Sequence, residues 1–327
     1  DGDGSESEVR DAYERDWMDW TAADGAPFKD VDGNGVYDPT IDIPGVPGAD
    51  QTLWFVCNDT DPNQALFLAG ANPMGIEEQV TVWGYNSAGP LGSMLFRKFK
   101  LINKSDTDIT DMYVTMWNDP DLGNATDDFA GCDTVLSMTF VYNANPTDAI
   151  YGDRPASAGF DFFQGPIVDG EPTDTAIFNG QYVVGKKNLG MTAHYFYINP
   201  DAIYRDPTQG QYQGSLEWYN FMQGRVGTTG DIFPDPYTGG TTRFALYGDP
   251  VTGTGWLDGQ QHPAGDRRAG MASGPFTMAA GDTQEEVVAE RAAIGSNNIN
   301  SVSLLKAYDK IAQDAYEKFF VLPSPPT

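Results

Sequence analysis

The sequence predicts a mainly β protein, an antiparallel β-sandwich with long loops, a short N-terminal helix and a C-terminal helix. Three observations lead there. Apolar residues fall in short runs rich in Val, Ile, Thr and aromatics, several of them alternating with polar residues, as half-buried strands do. Between the runs stand most of the 37 glycines and 22 prolines, the residues that supply turn backbone. Helical spacing of apolar residues is clear only near the two ends.

At the start, Ser5 followed by Glu8 forms a capping-box pattern. Val9, Tyr13, Trp17 and Trp20 then recur at helical spacing, one aromatic stripe on a helix over 5–20, expected to dock on the body. Strands are expected over 52–57, 77–85, 94–102, 111–117 and 134–142, then 191–198, 243–247, 274–278 and 285–293. A short helix is expected over 216–222. The last helix is expected over 301–320, where Val302, Leu305, Tyr308, Ile311, Ala312, Ala315 and Phe319 repeat at three and four. One large domain spans 1–322, with a sub-boundary near 150 left open, and Pro323–Thr327 reads as a linker to a following module.

Composition narrows the function. Asp and Glu total 47 against 19 Lys and Arg, a formal charge of −28. Nucleic acid and anionic membrane both require a basic footprint, so neither is an expected partner. No apolar run is long enough to insert into a membrane as a helix. Of the acids, 36 are Asp, the residue of turns, caps and calcium loops rather than of helical surfaces. Cys57 and Cys132 match no zinc or CxxC spacing; they could form one disulfide after export, or serve as small buried hydrophobes.

Two loops are the candidate metal sites. In the segment 30–42, Asp30, Asp32, Asn34 and Asp38 occupy the first, third, fifth and ninth positions of an EF-hand-type loop, with Gly35 sixth and the Val36 carbonyl seventh. The pattern departs where Ile41 takes the twelfth position and Asp42 follows it. Pro39 and Pro44 also forbid a regular exiting helix. The second loop carries Asp119, Asp121, Asp127, Asp128 and Asp133. So many carboxylates in one connection repel unless a hard cation such as calcium offsets them. Asn58 to Pro62 reads as a plain turn.

Catalytic patterns are missing. His194 and His262 are the only histidines, and neither lies in a zinc or nucleophile-elbow motif. His194 reads as a packed histidine. A two-carboxylate glycosidase would have to draw on Glu77, Glu78 or Glu217. Aromatics in loops, around Phe160, Trp218 and Trp256, could instead stack on sugars. Asp266 with Arg267 or Arg268 reads as a structural ion pair.

Several phrases together resemble a known group. They are Trp117 to Gly123 with Asp127-Asp128 and Gly131 to Thr134, then Gly248 to Trp256, Ser273 to Phe276, Gly281 to Gln284, and Ser301-Val302 with Leu304 to Lys306. From about Trp20 to Phe320 the chain resembles large secreted proteins of Marinimicrobia, Ignavibacteria and Bacteroidetes-like bacteria, which carry fibronectin-III modules and a type IX secretion sorting domain. The resemblance implies export and modularity and transfers no catalytic residue. The expectation is therefore a secreted or cell-surface, calcium-stabilised structural, adhesive or assembly module, with self-assembly into a filament through the N-terminal helix or an edge strand as a further reading. Its expected partners are calcium, neighbouring modules, further copies of itself and, on the rival reading, glycans.

Overall fold

The computed structural model describes residues 4–320, so the linker expected over 323–327 lies outside it. Ten strands build two antiparallel sheets. They are Gln51–Asn58 (β1), Ile76–Gly84 (β2), Met94–Asn103 (β3), Ile109–Asn118 (β4), Asp128–Asp133 (β5), Met138–Asn143 (β6), Ala156–Gln164 (β7), Ala193–Ile198 (β8), Arg267–Met278 (β9) and Thr283–Ile294 (β10). The larger sheet has the order β1-β2-β3-β10-β7-β6-β5, and the smaller one β8-β9-β4. Short ribbons between loop segments complete the β structure, among them 28–29 with 43–44 and 175–178 with 181–184.

The two sheets face each other as a sandwich. Cys132, Phe160, Phe162 and Val288 of the large sheet meet Met271 of the small one, and Ala130 with Val141 meets Tyr195, Phe196 and Ala269. Gly270 is required at this layer, because a Cβ there would come within 2.3 Å of the Tyr195 ring. The long segment after β8 adds Phe221, Val226, Phe233, Leu246 and Trp256 to the same core.

Helix Asn298–Glu317 (α4) covers the opposite face of the large sheet. Val302 and Leu305 pack on Met138, Phe140 and Ala293, while Ala312, Ala315 and Tyr316 pack near Trp83, Phe96 and Phe163. The Asn297 side chain caps its start by accepting from the Asn300 amide at 2.8 Å. Helix Glu6–Met18 (α1) starts with the expected capping box, in which the Ser5 amide donates to Glu8 Oε2 at 2.8 Å. Its aromatic stripe does not sink into the body: no residue of α1 is buried. Trp17 Nε1 instead donates to the Pro39 carbonyl at 3.0 Å, and the Tyr37 hydroxyl to that of Trp17 at 2.7 Å.

Some local expectations change. The 134–142 run begins in a turn, and β5 forms earlier, inside the acidic stretch, because Ala130 and Cys132 find core partners there. The aromatic segment around Phe160, read as loop, lies in a buried central strand over 156–164, whose nearly continuous burial erases alternation. The 243–247 run is no strand; it makes isolated backbone bonds to His194. Asn58 to Pro62 is more than a turn, since Asp61 caps an unforeseen helix, Pro62–Ala69 (α2). The helix expected over 216–222 starts earlier, as Tyr212–Met222 (α3).

Candidate metal centres and neighbouring pockets

The 30–42 loop is built by its own carboxylates. Asp30 Oδ1 accepts from the Gly33 and Asn34 amides at 2.7 and 3.2 Å, and Oδ2 from Gly35 at 2.7 Å. Gly33 and Gly35 both hold left-handed φ, 74° and 76°, which lets consecutive amides turn inward. Asp42 closes the loop, accepting from Val31 and Asp38 amides at 2.8 Å each. Asp32 and Asn34 are joined side chain to side chain at 2.9 Å. These bonds leave one carboxylate oxygen from each of Asp30, Asp32 and Asp42 within 4.8 Å of the others. Asp38 turns aside, its carboxylate held by the Thr40 amide and hydroxyl at 2.9 and 2.7 Å and its pKa lowered by them. The Val36 side chain is exposed, and its amide donates to Asn34 Oδ1 at 2.7 Å.

Three like charges at this separation repel by about 1 kcal/mol per pair even at the dielectric constant of water. Among the described residues no Lys or Arg pairs with them. Asp30 is held below the usual carboxylate range by the Gly35 amide, against burial and together with the Gly33 and Asn34 amides, so it stays charged. A hard oxygen-seeking cation suits this donor set.

The second acidic stretch does not form one cage. Asp119 and Asp121 come together with Asp266, which arrives from the loop before β9. Here a cation is already resident in the fold: Arg268 contacts Asp119 at 3.2 Å and Asp266 at 2.5 Å. The trio therefore fits a metal less well than the first loop. The ion pair Asp266–Arg268 is as expected, whereas Arg267 pairs with Asp258 at 2.8 Å.

Asp127 and Asp128 belong to a different knot, organised by Asp148. The Asp148 carboxylate accepts from the amides of Asn124, Ile150 and Tyr151 at 3.0, 2.7 and 2.6 Å. Burial pushes its pKa up, but these amides outweigh it and hold the group charged. Buried Asn143 donates to Asp127 Oδ1 at 3.0 Å. Asp128 is buried, takes the Leu122 amide on Oδ2 at 3.1 Å, and has no partner on Oδ1. Burial pushes its pKa up to about 8, helped by Asp127, Asp121 and Asp148. Asp133 lies apart, sharing the Lys306 ammonium with Asp249 at 3.0 Å each and so tying α4 to the loops. Neither Asp148 nor Asp266 was legible as a partner, because each is supplied from a distant part of the chain.

The cysteines stay apart: Cys57 is exposed on β1 and Cys132 is buried, both as free thiols, so the disulfide alternative falls away. His194 is fully buried between the Thr139 hydroxyl at 2.9 Å and the Ala245 carbonyl at 2.7 Å, and burial lowers its pKa to about 4. Glu217 is buried against Arg205 at 2.7 Å, Glu77 pairs with Lys104 at 3.3 Å, and Glu78 meets the Cys57 thiol at 3.3 Å. Of the loop aromatics, Phe160 and Trp256 are core. Trp218 lines a cavity of about 450 Å³ with Trp117, Tyr197, Asp119, Asp206 and Arg268.

No helix among the described residues is long and apolar enough to cross a membrane. No protein-family model matches the chain, and no curated protein matches it.

Proposed function

We propose that this chain is a calcium-stabilised structural or assembly module of a secreted or cell-surface protein. The observation that carries the reading is the convergence of the Asp30, Asp32 and Asp42 carboxylates without a resident basic partner among the described residues. Calcium would be held there by these three, with Asn34 and the Val36 carbonyl as further oxygen donors. Its work is mechanical: it offsets the repulsion and locks 30–42 against α1, whose Trp17 is bonded to Pro39 and Tyr37 of the loop. Such a loop orders where calcium is plentiful, as outside cells.

Calcium at a hundredfold excess over its dissociation constant stabilises by about 2.7 kcal/mol, which raises the melting temperature of a chain this size by about 4 °C. Chelation is expected to remove that increment. In Asp32→Ala the calcium-dependent increment disappears while calcium-free melting is not lowered, since Asp32 bonds only within its own turn and its loss relieves two of the three repulsions. Melting that ignores both chelator and calcium would sink the reading.

A second reading, glycan binding, is favoured by the Trp117–Trp218 cavity, where aromatic faces and carboxylates share one lining. Oligosaccharides would then quench tryptophan fluorescence in the wild type and not in Trp117→Ala. A spectrum unmoved by a panel of glycans removes this reading.

A further inference from the structure

We propose that the outer edge of β1 is a self-association surface, on which a second copy of this chain adds its own β1 to make a continuous antiparallel sheet across a two-fold axis. This rests on the assembly half of the function proposed above and names its surface.

The large sheet has two ends. At the β5 end, the outward amides are spent: Ala130 donates to Asp258 at 2.9 Å, Cys132 to the Leu246 carbonyl at 3.0 Å, and Gly265 donates to the Asp128 carbonyl at 3.2 Å. The small sheet is guarded as well. On β8, the His194 amide donates to the Arg243 carbonyl at 3.0 Å and the His194 carbonyl accepts from the Ala245 amide at 3.1 Å. On β4, Asp111 takes left-handed φ of 50° and its carbonyl accepts the Tyr219 hydroxyl at 2.8 Å, so charge and backbone bend blunt that edge. β1 differs from β5 and β8 in that its backbone pairs with β2 alone, and among the described residues no other backbone group reaches its outer side between Leu53 and Asn58. It differs from β4, which likewise pairs with one strand, in having no charge and no left-handed residue.

Open edges are normally protected by charge, proline or a bulge. β1 reads Gln-Thr-Leu-Trp-Phe-Val-Cys-Asn, with no charge and no proline, and it pairs with β2 residue for residue. Leu53, Phe55 and Val56 are 57, 50 and 41 % exposed. The occupant that unpaired strand backbone calls for is another strand.

Charge permits a second copy there. A molecule of charge −28 repels its own copies least along a strand with no charge of its own, as β1 is, although Asp16 and Asp19 at the end of α1 line the hollow beside its first half with Asp50. The acids at its two ends are turned inward onto amides: Asp50 accepts from Asn86 at 2.7 Å, and Asp59 from Met74, Gly75 and Ile76 at 2.5–2.9 Å. Two antiparallel copies bring these ends together, and the amides offset them. A two-fold axis normal to the sheet sets each residue opposite one on the same face. With the axis at Phe55, Leu53 meets the partner's Cys57 and Phe55 meets its own counterpart. Pairing across a two-fold axis uses the β1 edge of both copies, so it ends at a dimer and does not grow a filament.

The test is sedimentation velocity of the full chain over a concentration series, in calcium and in chelator, beside melting curves of the same samples. The wild type is expected to pass from 35.6 kDa to twice that mass, more readily in higher salt, which screens repulsion between copies. Phe55→Lys, placing like charges opposite each other, is expected to weaken the dimer at least tenfold with unchanged melting. Phe67→Lys, on the exposed apolar face of α2, is expected to leave it intact. A wild type that stays monomeric throughout, or a dimer indifferent to Phe55→Lys, overturns the inference. The calcium reading is judged separately, by melting alone.

Discussion

Replacing Arg291 with methionine is expected to destabilise the protein by about 3–5 kcal/mol, the largest single effect outside the apolar core. Arg291 lies on β10 with its side chain wholly buried, between Asp161 of β7 at 3.5 Å and Asp309 of α4, and over the Phe163 ring at 5.9 Å. One guanidinium serves two carboxyls, and burial pushes both carboxyls upward against the pull of Arg291. Without the cation, two buried acids face each other with only their protons to relieve them. Urea unfolding followed by circular dichroism measures the loss. The triple change Arg291→Met, Asp161→Asn, Asp309→Leu is expected to recover most of it, because removing every charge also removes the desolvation cost. A single variant as stable as the wild type would show that the triad does not hold α4 to the sheet.

Stability is expected to fall as pH rises from about 5 to 8, the reverse of ordinary acid denaturation. Asp128 and Glu286 are both buried, and burial pushes each up to about 8, with nearby acids adding to it. Between the usual carboxylate pKa and 8, the unfolded chain has released these protons and the folded chain keeps them. The folded state therefore binds more protons, and stability declines with pH across that window, by up to about 1.4 kcal/mol per pH unit for each group. Below pH 4 both states are protonated and the difference vanishes; above 8 it stops growing. Asp30, Asp38 and Asp148 are shifted the other way, so their contribution is already complete above pH 4. His194, lowered by burial to about 4, loses its proton on folding and opposes the decline up to its unfolded pKa of about 6.5, so the fall is steepest between about 6.5 and 8. In Asp128→Asn with Glu286→Gln the decline should flatten, as read by urea midpoints in chelator at pH 5, 6, 7 and 8. A wild-type profile that rises toward pH 8 would contradict the assignment of both groups as neutral acids.

Much of the local structure was legible in the sequence. The Ser5–Glu8 box, the helical period of α4 and the alternation of β2 each involve residues close in the chain, so their geometry is set by bonds a few residues long. The same holds for the 30–42 loop, where Asp30 meets the amides three to five residues on and Gly33 and Gly35 permit the turn. The late acid was legible too, since Asp42 joins the trio, whereas Asp38, expected as a ligand beside it, is turned aside by Thr40.

The second acidic stretch shows where local reading stops. Its aspartates are neighbours in the chain, yet Asp119 and Asp121 join Asp266, Asp127 and Asp128 join Asp148, and Asp133 joins Lys306. β5, formed inside that stretch, pulls Asp128 into the core because Ala130 and Cys132 are buried beside it. Sheet order belongs to the same class, since β10 enters between β3 and β7 and carries Arg291 to its two aspartates. By itself the sequence determined the fold class, the caps, the turns and the carboxylate loop, all governed by short-range bonding. Only the tertiary structure decided which distant charges meet and which sheet edge stays open, because burial of the apolar faces sets those distances.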